Sequence, residues 1–421
     1  MIYCVCPKRN AYIGEMKQKI VIIGHGYTSR LGIIRSLAEL DCEITVIAMV
    51  FHGWLGRFVR LNWGKPIDCH SKYINRMYYC YAKGEESLID LLLRKCSDPR
   101  HKVIVIPDSD FSAAAIDRNQ ERLKEHFLFP HVRHTHGAVE HWMHKTVQKQ
   151  LAKDIGLNVT NDCIVRVQDG RYAMPKNVCY PCFTKPLATI SGGKQFLKRC
   201  DNETELRRVL DKASLQFPNT EVLVEDFKVI GTEYAVVGFS DGENVIIPGV
   251  IEFIVNSKSH FGIAREGKIM PVTGFESLLE QFREFVRRVG FFGLFDIDFY
   301  ESDGMIYFGE MNLRFGGSGY AYTAMGVNLP AMFVKSLLNE SIADMKQYVM
   351  GTATYVNERM CLDDYLHGYI NEGEYQNIIN SSDVQFVCDK NDMKPYRQLK
   401  MEFFKIKLKR VRLQLKRKMK R

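Results

Sequence analysis

The sequence contains no apolar run of the ~20 residues that a membrane-spanning helix requires. Its first twenty residues carry Lys8, Arg9, Glu15, Lys17 and Lys19 without a continuous apolar segment, so no secretory signal is expected. Paired cysteine motifs are also missing. Twelve cysteines are scattered along the chain, and its one CxxC, Cys179 and Cys182, has no second pair nearby. This argues against a zinc ribbon or a disulfide framework and for free thiols in a reduced, cytoplasmic setting. No Walker A spacing is present, nor a Ser-His-Asp or Cys-His arrangement in context. A basic excess is missing from the body of the chain as well. The total is +9, but residues 400–421 hold eleven Lys/Arg against the single acid Glu402, a local +10 that leaves residues 1–399 at −1. Nucleic acid is therefore not an expected partner. With 46% apolar and 25% charged residues, disorder and collagen-like fibre are excluded.

Six histidines lie between His126 and His144. The spacing of His131, His134 and His136 could suit a metal, but no carboxylate or cysteine stands at a matching position. His141 and His144 fall at i, i+3 beside Trp142, and a histidine-rich connector is the simpler reading.

Residues 19–24, KIVIIG, read as a buried parallel strand, followed by the turn GHGYTSRLG and a helix through Ile33, Leu37 and Leu40. Strands are expected at 43–49 and 102–107, with a helical pattern between them. The alternation predicts a doubly wound α/β domain over 19–138. Gly24, Gly26 and Ser29 resemble a dinucleotide turn, but the second strand ends in Ile47-Ala48-Met49, where a ribose-binding acid should stand. From 139 to 345 the pattern becomes α+β, with strands at 179–187, 221–227, 232–239 and 244–255 and helices at 203–215 and 275–289. Polar helical material follows over 346–421.

The sharpest chemistry lies in 293–318, GLFDIDFYESDGMIYFGEMNLRFGGS. Strand alternation puts Asp296, Asp298 and Tyr300 on one face and Glu310, Asn312 and Arg314 on one face of the return strand. A three-residue loop, Ser302-Asp303-Gly304, would set 296 opposite 310, with Asp298 diagonal to Glu310. Carboxylates crowded on one face repel unless a cation joins them. Two or three carboxylates with an amide oxygen, hard oxygen ligands without His or Cys, suit Mg²⁺, and Arg314 is placed to offset charge on a transferring phosphoryl group.

With these motifs the sequence resembles the ATP-grasp superfamily over roughly residues 20–345. The resemblance rests on His144-Lys145 before a helix, Phe183-Thr184-Lys185-Pro186, the small loop Ser191-Gly192-Gly193-Lys194, Val222–Phe227 with Ile230–Glu233, and the hairpin. It implies an N-terminal pre-ATP-grasp domain, a small lid subdomain over about 155–225 and a large subdomain over about 226–345. It implies ATP and Mg²⁺, for which Mn²⁺ can substitute, as cofactors. Lys145, Lys185, Ser191, Gly192, Gly193 and Lys194 would hold phosphates. Glu225, Asp226, Phe227 and Glu233 would hold adenine and ribose, and Asp298, Glu310 and Asn312 the metal. Arg314, Lys185 and Arg265 would act on the transferring group. His25, Gly26, Ser29, Asp108, Ser109 and Ser318 are candidate substrate contacts.

Within the superfamily the layout looks most like D-aspartate ligase and carbamoyl-phosphate-synthetase-like carboxylate–amine ligases, on SKYINRMYYC, the strand and DSD at 103–110, and FGEMNLRFGGSGY. That implies an ADP-forming amide ligase for a small carboxylate, an amino acid, and an amine acceptor in cell-envelope or surface-polysaccharide synthesis. A homo-oligomer is compatible with it. Carbamoyl-phosphate-type synthesis, carboxylation or a non-catalytic nucleotide-binding module are the alternatives. In the tail, Phe404, Leu408, Val411, Leu415 and Met419 form an apolar helical stripe flanked by Lys and Arg. It would either rest on an anionic membrane surface or dock on the protein itself.

Overall fold

The computed structural model describes residues 17–25, 27–50, 65–81, 84–186, 196–260 and 262–418. Gly26 and the loop residues Ser191, Gly192, Gly193 and Lys194 lie outside the described residues. The chain divides into two compact units. The first joins Met1–Val139, Tyr234–Asp296 and Asn312–Arg421; the second joins Glu140–Glu233 and Ile297–Met311.

In the first unit a parallel five-stranded sheet is built from Gln18–Gly24 (β1), Cys42–Val50 (β2), Ile74–Tyr81 (β3), Val103–Pro107 (β4) and Phe127–Leu128 (β5). Its order is β3-β2-β1-β4-β5. The central strands are apolar on both faces because helices cover both sides, the composition that a parallel sheet demands. Thr28–Ser36 (α1), Glu85–Leu91 (α2) and Asp110–Arg118 (α3) are the principal helices. The INRMYYCY segment, expected within a helical stretch, is the edge strand β3. Aromatic side chains there favour a pleated surface over a helix.

A short strand, His131–Val132 (β6), leads to the second unit. There, Lys145–Asp154 (α4) precedes an antiparallel sheet of Asp162–Val167 (β7), Cys182–Pro186 (β8), Lys198–Cys200 (β9) and Thr220–Asp226 (β10), ordered β7-β10-β8-β9. The amphipathic helix Glu203–Gln216 (α5) covers one face, burying Leu206, Leu210 and Ala213 against Cys182, Cys200 and Val224. Cys182 of the CxxC is thus a core residue, while Cys179 is exposed.

The large sheet uses Thr232–Asp241 (β11), Val245–Ile246 (β12), Val250–Asn256 (β13), Ala264–Met270 (β14), Phe291–Ser302 (β15), Met305–Asn312 (β16), Ala353–Val356 (β17) and Val384–Gln385 (β18). Its path is β16-β15-β11-β13-β14-β17-β18, with β12 on β11 and β6 on β15. Glu276–Val289 (α6) and Leu329–Leu337 (α7) pack on it, and Gly290 ends α6 in the left-handed conformation. Ile22, Ile34 and Ile106 share one core with Phe239, Phe315 and Phe333, so the N-terminal sheet and the large sheet are joined within the first unit. The C-terminal helices Glu358–His367 (α8), Glu372–Ser381 (α9) and Met393–Lys418 (α10) form a further cluster around Leu362, Tyr375 and Leu399.

The β15–β16 turn differs from the expected three-residue loop. The strands run to Ser302 and resume at Met305, so the turn is Asp303-Gly304, both left-handed with φ of 53° and 73°. Two left-handed central residues give the turn whose twist matches a hairpin, and Asp tolerates that conformation. Tyr300 consequently stacks on Tyr307, with centroids 5.6 Å apart, in a pairing shifted by one residue from the expected one. Tyr307 and Phe308 are both buried, so strict alternation breaks before Glu310.

Candidate active site

Two groups of charged side chains stand out, one in each unit. In the second unit, β10 is the middle strand between β7 and β8, and its register sets Glu225 opposite both Asp162 and Phe183. Lys185, opposite Leu223, falls diagonally on the same face as Glu225. The other face is the apolar one under α5, and Glu225, Asp162 and Lys185 share the opposite side. Glu225 uses both carboxylate oxygens: Oε1 pairs with Lys185, and Oε2 accepts from Lys149 Nζ at 2.8 Å and from Thr160 Oγ1 at 3.1 Å. Burial opposes its ionisation, but Lys185 and Lys149 outweigh burial and hold the carboxyl below its ordinary value.

Helix α4 faces the hairpin with three residues at i, i+3 and i+4, a single helical face. Lys145 Nζ lies 2.6 Å from Glu310 Oε2. Gln148 is buried, donates to Met311 O at 2.8 Å and accepts from Met311 N at 2.7 Å. Lys149 bridges Glu225 to Asp162. Burial works against the charge on Lys145, yet Glu310, with Glu225 and Asp298 also contributing, raises its pKa above the usual lysine value. Both expected metal carboxylates therefore act on one ammonium, despite the shifted register. Gln148 clamps the backbone between Glu310 and Asn312. Close strand approach matters here too, since a Cβ on Gly309 would meet Asp298 O at 2.7 Å.

The expected base-reading segment is partly committed. The Asp226 N–H donates to Asn161 O and the Phe227 N–H to Pro181 O, each at 3.0 Å. Those two amides are satisfied within the protein, leaving carbonyl groups rather than these N–H groups for a base edge. Phe227 is flanked by Phe183 and by the Arg199 guanidinium, 4.6 Å from its ring centroid. Glu233 lies two residues after Gly231, whose N–H donates to Glu301 O.

In the first unit the group forms where β1 and β4 end. Arg30 is buried, its Nε donating to Asp68 Oδ2 at 2.5 Å and its other nitrogen to Gly24 O, with Asp108 Oδ2 at 3.8 Å. Gly24 has φ of 152°, and a Cβ there would fall 1.6 Å from Asp108 Oδ1, so only glycine fits. Ser109 caps α3 by a reciprocal bond with Ser112. Two expected substrate contacts, Asp108 and Ser109, are thus occupied in holding the turn, and Ser29 is buried.

Asp110, which the sequence did not single out, lies at the start of α3 with its side chain 42% exposed. Arg314 Nε donates to its Oδ1 at 3.0 Å, and Asp296 Oδ2 is 3.8 Å from Arg314 Nη1. His25 lies within the same field: burial lowers its pKa, Arg30 and Arg314 lower it further, and Asp110 opposes them. Ser318 lies beside the Tyr355 hydroxyl. Arg265 is buried elsewhere in this unit and uses three donors, two on Glu266 Oε1 and one on Asp364 Oδ2 at 3.1 Å.

Asp298, Glu310 and Asn312 offer hard oxygen atoms only, which fits Mg²⁺ and not zinc. Among the described residues, no three His, Cys, Asp or Glu side chains gather to hold an ion by themselves. An ion that keeps waters and takes phosphate oxygens is the one such a sparse set suits.

No protein-family model matches the chain. The carbamoyl phosphate synthase large chain of Gemmatimonas aurantiaca is 24% identical over 199 residues, 46% of this chain and 18% of that one. The chain thus spans about a fifth of the length of the curated relatives it matches. Among solved structures, an L-amino acid ligase from Bacillus licheniformis matches with a TM-score of 0.57 at 17% identity, covering 81% of this chain and 80% of that one. The biotin carboxylase domain of the Hydrogenobacter thermophilus 2-oxoglutarate carboxylase, a complex with MgADP, ADP and bicarbonate, matches with a TM-score of 0.60 at 17% identity, covering 81% and 74%. The chain shares its fold with these solved ligase and carboxylase structures.

Proposed function

We propose that the chain is an ADP-forming, ATP-dependent carboxylate–amine ligase, with an amino acid as the carboxylate donor. The observation that carries this reading is the paired placement of Lys145 on Glu310 and Lys185 on Glu225 in the second unit. Both ammonium groups lie against carboxylates, the cationic groups that a polyphosphate site requires. In the reaction, a donor carboxylate oxygen attacks the γ-phosphorus, the bond to ADP breaks, and an acyl phosphate forms. The acceptor amine then attacks the acyl carbon, phosphate leaves with the bonding pair, and the amine proton passes to solvent. Such chemistry needs positioning and charge neutralisation rather than a protein nucleophile.

Lys145 and Lys185 bind the phosphates, and Asp298, Glu310 and Asn312 would hold Mg²⁺, which would neutralise phosphate charge. Glu225 and Glu233, with the backbone at Asp226 and Phe227, hold adenosine. Arg314 stabilises charge on the transferring group, and Asp110 orients its guanidinium. His25, Gly26 and Ser29 contribute to the donor pocket. Arg265 acts by holding the β14 region to α8. The envelope or surface-polysaccharide pathway follows from the sequence resemblance and a cytoplasmic location from the scattered cysteines; both belong to this proposal, as does the division at 138 and 345.

Carboxyphosphate chemistry is a second reading, supported by the carbamoyl phosphate synthase relative and the carboxylase neighbour. Purified protein with Mg-ATP is incubated with pools of D- and L-amino acids plus amine acceptors, or with bicarbonate, and ADP and phosphate are measured. Amino-acid-dependent ADP supports the ligase. Release only with bicarbonate supports the second reading, and no release in either arm refutes both.

A further inference from the structure

We propose that α10 is a bilayer-docking element that settles on an anionic lipid surface, an interaction independent of the ligase reading. The helix is attached to its own unit by one face only. Tyr396, Leu399 and Phe403 pack into the C-terminal cluster. Phe403 stacks on Tyr375 at 5.5 Å and lies 5.2 Å from the Tyr365 ring. Glu402 accepts from Arg359 Nη1 at 2.8 Å, and Lys407 Nζ donates to Glu372 Oε1 at 2.8 Å. These contacts fix the rotation of the helix about its axis.

A second apolar face remains in water. Met401 is 51% exposed, Phe404 64% and Leu408 55%. Their spacing is i, i+3 and i+7, a single helical face, and the sequence repeats it at Val411 and Leu415. Lys405 is exposed one position after Phe404, Lys400 and Lys407 are exposed on the other side, and the sequence from 409 to 421 adds eight Lys/Arg and no acid. The lone acid of this segment, Glu402, is already paired with Arg359. An apolar strip bordered on both sides by long cations matches an interface with an apolar interior and anionic headgroups, where Lys and Arg stems lie along the acyl boundary while their charges reach phosphate.

Charge complementarity selects the occupant. A second copy would bring two strongly basic faces together, and nucleic acid would have no use for Phe404 and Leu408. An anionic bilayer satisfies both features at once.

The test uses the full-length protein and sedimentation with large unilamellar vesicles, either phosphatidylcholine alone or phosphatidylcholine with about one quarter phosphatidylserine. Binding is expected to rise at least about tenfold with phosphatidylserine. It should fall about tenfold or more in Phe404→Glu/Leu408→Glu and in Lys405→Glu/Lys409→Glu. Phe404, Lys405 and Leu408 are exposed, so melting and circular dichroism should not change in Phe404→Glu/Leu408→Glu; Phe404→Ala/Leu408→Ala provides a milder check. The proposal is overturned by sedimentation that does not depend on phosphatidylserine, or by undiminished binding in Phe404→Glu/Leu408→Glu. A dimer in light scattering that this variant abolishes, with no lipid binding in the parent, would also overturn it in favour of a second copy.

Discussion

Lys149 Nζ lies 2.8 Å from Glu225 Oε2 and 2.6 Å from Asp162 Oδ2, two carboxylates set directly opposite each other on neighbouring strands. Like charges at a cross-strand pair destabilise a sheet, so the buried ammonium is what permits that pair. Lys149 is a positioning residue: it holds Glu225, and Glu225 in turn holds Lys185.

Replacing it should therefore cost stability before it costs chemistry. Lys149→Met leaves two carboxylates beside each other and is expected to destabilise the second unit by about 3–5 kcal/mol. Denaturant unfolding checks this. An unchanged midpoint would show that the carboxylates find other partners.

Acid should expose the same network. The Glu225 carboxyl is held below its ordinary value, so its contribution is present above the unfolded pKa of 4.5 and is lost as pH falls through the folded value. Melting temperature should decline below about pH 4.5, and Glu225→Gln should flatten that part of the profile. Parallel profiles for the two proteins would contradict this.

Glu310→Gln keeps the shape of the side chain but removes a charge facing Lys145. ADP release should fall at least about a hundredfold with the fold intact. Near-normal turnover would refute the phosphate and metal role of the hairpin.

Asp110→Asn tests the side chain that holds Arg314. If Asp110 orients Arg314, turnover should fall by about tenfold while nucleotide affinity stays the same. Arg314→Lys should lose about a hundredfold or more, since a lysine lacks the planar fork. Equal, small effects from both would mean that the ion pair is only structural.

Gln148→Leu removes both hydrogen bonds to the Met311 backbone, leaving a buried N–H and carbonyl unpaired. A loss of about 2–6 kcal/mol is expected, at about 1–3 kcal/mol for each of the two orphaned groups, with faster amide exchange at Met311. Protected exchange in the variant would show that the backbone had found other partners.

The polar faces of the hairpin were legible because Asp296, Asp298 and Tyr300, and then Glu310 and Asn312, alternate along neighbouring strands. Lys145 and Glu225 were marked by the family resemblance and not by alternation. Asp110, Gln148 and Lys149 were not legible. Gln148 acts on Met311, 163 positions away, and Arg314 meets Asp110 at a separation of 204. Asp108 and Ser109 looked like ligand contacts because strand ends often bind ligands, but a buried arginine and a helix cap use them first. The turn at Asp303-Gly304 was misjudged by one residue because Asp accepts the left-handed conformation that was assigned to glycine alone.

The sequence by itself determined the alternation of strand and helix around β1, β2 and β4, the near-neutral body with a basic end, and an oxygen-rich hairpin followed by an arginine. Periodicity and charge are local properties, and they survive without tertiary contacts. Only the tertiary structure decided which carboxylate meets which lysine and which apolar stripe of the last helix is covered. Those outcomes depend on register across strands and on rotation about a helix axis, and long-range packing alone sets both.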